Sequence, residues 1–211
     1  MQKKRYAGIF AAALFSLLSA AFLIGCSKMG GEDVTGLRID KNGAVTSSIV
    51  ETFDKAYYAA DGLETMIREE IAAYCGENSE QVTLQSVELL KVDAEQTGEV
   101  QPQKIAVTMK YASCEDYAAF NEAVLFYGTV AEAQAAGYQF DTTWVSASDA
   151  QMKLTAEEFS SLSDKKVLIA GEMLQVLLPA KVAYMTEGTE LINNKCINIV
   201  NTDGLTYVIM K

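Results

Sequence analysis

No histidine occurs in the 211 residues, proline occurs only twice, and 17 Lys and Arg stand against 28 Asp and Glu. Without an imidazole there is no histidine general base and no His-ligated metal site. At a net charge of −11 the chain is short of the clustered cations that phosphate backbones require, which excludes nucleic acid as a partner. Of the four cysteines, none stands in the Cys-x-x-Cys spacing of a zinc knuckle or a redox dithiol. No metal and no cofactor is therefore expected. What the chain does have is apolar mass: 50% of it is hydrophobic, enough for a packed core and too much for a disordered chain.

Lys3, Lys4 and Arg5 precede an uncharged run over 7–24, in which only Gly8, Ser16 and Ser19 are not hydrophobic. A basic start before an apolar stretch is the pattern of an export signal. The stretch ends in Leu23-Ile24-Gly25-Cys26, which resembles the lipobox of bacterial lipoproteins. The resemblance covers the first 26 residues. It implies cleavage between Gly25 and Cys26, and a diacylglyceryl group on the Cys26 thiol with fatty acyl chains such as palmitate. The protein would then be held by its N-terminal lipid at the cell surface, on the extracytoplasmic face of the cell membrane. An uncleaved transmembrane anchor is the competing reading, because the run is nearly long enough to span a bilayer. That reading leaves the Leu-Ile-Gly-Cys order unexplained, and two acyl chains anchor stably where one does not. The mature chain looks like the small uncharacterised lipoproteins of Gram-positive bacteria, a likeness that brings no activity with it.

Residues 1–25 are expected to be the signal peptide and 26–36 a flexible tether, with Gly30, Gly31 and Gly36 beside Glu32 and Asp33. About ten such residues reach roughly 17 Å on average, which keeps the folded part near the membrane. Its own negative charge would hold it off anionic headgroups. The remainder is expected to be α+β: a hairpin–helix–hairpin–helix part over 37–140, then a β-rich part over 141–211, as two domains or one continuous one. Asp40-Lys41-Asn42-Gly43 suits a three-residue hairpin loop with Gly43 left-handed and Ile39 opposite Val45. Asp61 with Glu64 has the spacing of a capping box for a helix ending at Gly76, with Leu63, Met66, Ile67, Ile71 and Tyr74 as its apolar face. Strands are expected over 82–92 and 104–111 with a polar loop over 93–102 between them. Ser113 with Asp116, Thr129 with Glu132 and Thr155 with Glu158 each cap a short helix. Further strands are expected over 124–127, 167–170, 174–178, 182–185, 196–200 and 205–210, the last two joined by the turn Asn201-Thr202-Asp203-Gly204.

Phe126, Tyr127, Tyr138, Phe140 and Trp144, the only tryptophan, fall close together around an Ala-rich stretch. Rings with polar handles build stacking platforms for glycans or grooves for peptides. Equally, they fill a core beside small alanines, which is the commoner use of such residues. Cys114 opens an expected helix, where a thiol pKa is lowered, but nothing in the chain supplies an imidazole to activate it. Cys75, Cys114 and Cys196 read as small buried hydrophobes. Ser163-Asp164-Lys165-Lys166 matches the Ser-x-x-Lys of penicillin-binding proteins, yet their Ser-Asp-Asn and Lys-Thr-Gly partners are missing. The carboxylate pairs Glu69-Glu70 and Glu157-Glu158 are neighbours in sequence, which point apart on a helix. Asp40-x-Asn42-Gly43 places its glycine fourth, where an EF-hand needs it sixth. No catalytic set is assembled from these. The expectation is a non-catalytic binding or assembly module whose partner is a glycan, a peptide or a protein. The alternative is an extracytoplasmic hydrolase or transferase using carboxylates or Cys114.

Overall fold

The computed structural model describes residues 35–55, 58–76, 80–90, 103–200 and 204–211. The lipobox, the loop over 93–102 and turn residues Asn201, Thr202 and Asp203 lie outside the described residues.

Strands β1 (Gly36–Ile39) and β2 (Val45–Thr52) form an antiparallel hairpin with Ile39 opposite Val45. Gly43 turns it at φ +89°. The Asp40 carboxylate accepts from the backbone N–H groups of Asn42 and Ala44 at 2.7 and 3.0 Å, fixing the loop. Helix α1 (Ala60–Cys75) follows, but the expected capping box is not made: its N-cap is Ala59, with no side-chain cap bond. Asp61 sits instead in the first turn, where its charge meets the helix dipole favourably. Glu64 reaches forward to Arg68 at 2.7 Å. Ile67 and Cys75 are buried, Leu63 and Ile71 pack against the core, and Met66 stays exposed.

Strands β3 (Val82–Leu90) and β4 (Lys104–Tyr111) pair antiparallel, and α2 (Cys114–Asn121) is capped by Ser113. Next come β5 (Leu125–Thr129), α3 (Val130–Ala135), β6 (Trp144–Ser146) and α4 (Ala156–Ser160). Both α3 and α4 start in full capping boxes, Thr129 with Glu132 and Thr155 with Glu158. The chain ends with β7 (Lys166–Ala170), β8 (Gln175–Leu177), β9 (Val182–Thr186), β10 (Thr189–Asn193), β11 (Cys196–Ile199) and β12 (Thr206–Met210).

These strands make two sheets, ordered β10-β11-β8-β1-β2-β4-β3 and β5-β7-β12-β9-β6. The expected division into a hairpin–helix–hairpin–helix part and a later β-rich part is overturned. Strands hold 41% of the described residues against 22% in helices, and the four helices are scattered between strands. The class is α+β only in this broader sense. β1 is flanked by β2 on one side and, in parallel, by β8 on the other, so late strands complete the sheet that Gly36 begins. The physical reason is that a strand pattern is local while its pairing is not. β1 has a second edge of N–H and C=O groups that needs a partner, and nothing in the pattern names it.

One buried cluster is shared by both sheets. Leu37, Ile39, Val176 and Ile197 come from the seven-stranded sheet, and Leu168 and Val208 from the five-stranded one. The five-stranded sheet is apolar on its other face as well. Along β7, Val167 and Ile169 belong to a second cluster while Leu168 and Ala170 belong to the first; along β12, Tyr207 and Ile209 alternate likewise with Val208 and Met210. Continuous apolar runs, with no polar alternation, are what a strand buried on both faces requires. The second cluster, closed by Val130 and Ala133 of α3 with Phe159 of α4 packed against it, underlies the site described next.

Candidate functional site

The five aromatic residues singled out in the sequence do not stay together. Successive side chains on β5 point to opposite faces, so Phe126 packs against the second cluster and Tyr127 against the first. Tyr127 lies with Lys166 Nζ 5.6 Å from its ring centre. Its hydroxyl is pushed above the ordinary tyrosine value by burial first, then by the nearby Cys114 and Asp40. Phe126, Tyr138, Phe140 and Trp144 do gather, and Phe159 and Tyr207 join them. Phe140 lies near-parallel to Trp144 at 6.2 Å and also meets Phe159 at 5.3 Å and Tyr207 at 5.2 Å, while Phe126 and Tyr138 meet at 5.3 Å. Only 4% of Trp144 is exposed, which makes it a core residue. Tyr138, Phe140 and Phe159 are half-buried.

Over these rings runs an open groove of about 750 Å³. Its floor is Tyr138, Phe140, Trp144, Leu154 and Phe159, and its rim is Gln134, Gln139, Asp141, Thr142, Thr143, Thr155 and Ala156. Local chemistry sets both walls. After α3 the chain turns at Gly137, φ +94°, and the Tyr138 N–H returns to the Ala133 carbonyl at 3.1 Å, which swings Tyr138 and Phe140 back over the sheet. On the far side the free edge of β6 is taken by the segment before α4. The N–H of Ser146 donates to the Met152 carbonyl at 3.0 Å, Leu154 N–H donates to the Trp144 carbonyl at 3.3 Å, and Val145 bridges to Lys153. This pairing delivers α4 and Phe159 to the groove. The side chains of Gln134, Asp141, Thr142 and Thr143 make no hydrogen bond to other described residues. Leu154 and the polar rim escape sequence reasoning, because they reach the rings only through the β6 edge contact. Phe159 is visible in the sequence only as one apolar residue of a short helix.

The residues of the enzymatic alternative do not converge: Cys114 lies away from the groove, Asp141 lines it, and Glu157 and Glu158 follow its lining residues Thr155 and Ala156. Cys114 is buried at the start of α2, its thiol donating to the Gly43 carbonyl at 3.5 Å. Burial first, then Glu115 and Asp40, push its pKa up to about 12, so the helix terminus is outweighed and the thiolate is out of reach at neutral pH. Cys75 and Cys196 are buried as well. Ser163 and Lys165 use their carbonyls to accept from Ala131 and Val130 at 2.9 Å, joining α3 to the turn before β7. Glu157 and Glu158 begin α4, where Glu158 is held below its ordinary value by the backbone N–H and hydroxyl of Thr155. Glu172 is raised by burial, although the Tyr117 hydroxyl donates to it at 3.5 Å. Among the described residues no group of three or more His, Cys, Asp or Glu could hold a metal ion.

Among the described residues no helix is long and apolar enough to cross a membrane. Set against models of known protein families, curated proteins and solved structures, the chain matches none.

Proposed function

We propose that the chain is a lipid-anchored extracytoplasmic lipoprotein whose folded part is a non-catalytic binding module, working through the groove over Tyr138, Phe140 and Phe159. One observation carries the binding half: half-buried rings, packed on a core, line a cleft whose rim side chains Gln134, Asp141, Thr142 and Thr143 make no hydrogen bond to other described residues. Rings bordered by polar groups are elements of a ligand cleft, here with more polar than apolar surface exposed in the lining. It offers no activated nucleophile, since Cys114 lies buried at another place in the fold. The anchoring half is supported by Leu23-Ile24-Gly25-Cys26 after an uncharged run and three basic residues.

Each half has its own test. Intact-mass measurement on the membrane fraction should find a chain beginning at Cys26 with added diacylglyceryl mass, and Cys26→Ser should leave an unprocessed, unlipidated precursor. A wild-type chain without lipid that starts before Cys26 removes the anchor. For binding, Trp144 is the only tryptophan and belongs both to the groove lining and to the second cluster, so its emission is read together with the melting temperature. A panel of oligosaccharides and peptides should contain one class that shifts it saturably. A silent panel that also leaves the melting temperature unmoved rejects the binding module.

A further inference from the structure

We infer that the groove takes a neutral oligosaccharide, laid with its sugar faces on the half-buried rings of Tyr138, Phe140 and Phe159. The inference rests on the binding-module reading and names its ligand class.

Among the described residues Asp141 is the single acidic side chain lining the groove, and no Lys or Arg lines it. Uronic acids, phosphorylated ligands and acidic peptides would find no cation there, in a chain that already carries −11. Floor and rim together match a sugar. A pyranose ring has apolar C–H faces and a girdle of hydroxyls, each of them both donor and acceptor. The floor supplies aromatic rings held by their neighbours: Phe140 packs on Trp144 and Tyr207, Phe159 on Trp144, and Tyr138 on Phe126. The rim supplies Gln134, Gln139, Thr142 and Thr143, whose amides and hydroxyls also donate and accept. The sheet edge beside the groove favours a sugar over a peptide. An extended peptide gains affinity by adding a strand to an open sheet edge. The edge bordering this groove is β6, and its outer side is already occupied by Met152, Lys153 and Leu154. At about 750 Å³ the cleft falls within the range of small-molecule sites, which fits a short oligosaccharide.

The full chain is titrated with chitotetraose and cellotetraose as neutral probes, tetragalacturonate as the acidic one, and a lysine-containing tetrapeptide as the peptide arm. Trp144 emission, calorimetry and thermal melting are the readouts. At least one neutral tetrasaccharide should shift the emission saturably and raise the melting temperature, with tetragalacturonate silent. Tyr138→Ala should weaken that binding about ten- to a hundredfold, and Tyr138→Phe should restore it. Should Tyr138→Ala fail to fold, the exposed double change Gln139→Ala with Thr142→Ala decides, since it removes rim partners without touching the core. Equal binding of tetragalacturonate overturns the inference, and so does neutral binding that both variants leave unchanged. Binding of the tetrapeptide with the sugars silent overturns it while keeping the binding module. Silence from every probe removes both.

Discussion

Trp144 contacts Phe140, Phe159 and Tyr207 and is 4% exposed. Trp144→Ala therefore empties part of the second cluster, and the expected loss is about 3–5 kcal/mol, read by urea unfolding followed by circular dichroism. A loss under about 1 kcal/mol would contradict a packed ring at that position. Glu172 carries a pH dependence. Burial raises its carboxyl above the ordinary value and outweighs the lowering effect of the Tyr117 hydroxyl. The folded state then holds the proton more tightly than the unfolded one. This group favours folding while protonated, and that contribution is lost as the pH rises from the ordinary carboxyl range through the raised value. Glu172→Gln cannot ionise, so it should melt higher than the wild type at pH 7 and close to it at pH 4. A melting difference that does not change with pH would count against this account.

Elements whose start or turn depends on one side chain were readable in the sequence. Ser113, Thr129 and Thr155 cap their helices by local hydrogen bonds that do not depend on what the helix packs against. Gly43 and Asp40 set the hairpin in the same way. At the start of α1 the Asp61 and Glu64 spacing imitates a capping box, whereas the N-cap is Ala59 and makes no side-chain cap bond. β10 was hidden because Thr189–Asn193 is mostly polar, and β6 because three residues hold too little pattern. The aromatic segment was legible as composition, but its partition between two faces of a sheet and its meeting with Phe159 follow from pairing. Gly36 marks such a pairing. A Cβ at this position would lie 2.6 Å from the Gln175 carbonyl oxygen of β8, a backbone atom that cannot rotate away. Gly36→Ala should force β1 and β8 apart and cost about 1–3 kcal/mol, measured by thermal melting. An unchanged melting temperature would show that the seam is loose.

Across the whole molecule, the shared cluster joins side chains from near both ends of the described chain, among them Leu37 and Met210. The second cluster leans on the same five-stranded sheet from behind. Neither sheet can open without exposing part of that common core, so unfolding should be cooperative. Trp144 emission reports the second cluster and far-ultraviolet circular dichroism reports both sheets; their urea midpoints should coincide. Distinct midpoints would mean that the two clusters come apart separately.

The parallel seam between β1 and β8 also places a condition on the order of events in folding. Gly36 must find Gln175, so a chain delivered from its N-terminus cannot close the larger sheet until most of its length has arrived. Until then β1, β2, β4 and β3 can pair among themselves, while the outer edge of β1 stays open to any strand that meets it first. Contacts this distant in sequence form slowly, and an open edge is where aggregation starts during such a wait.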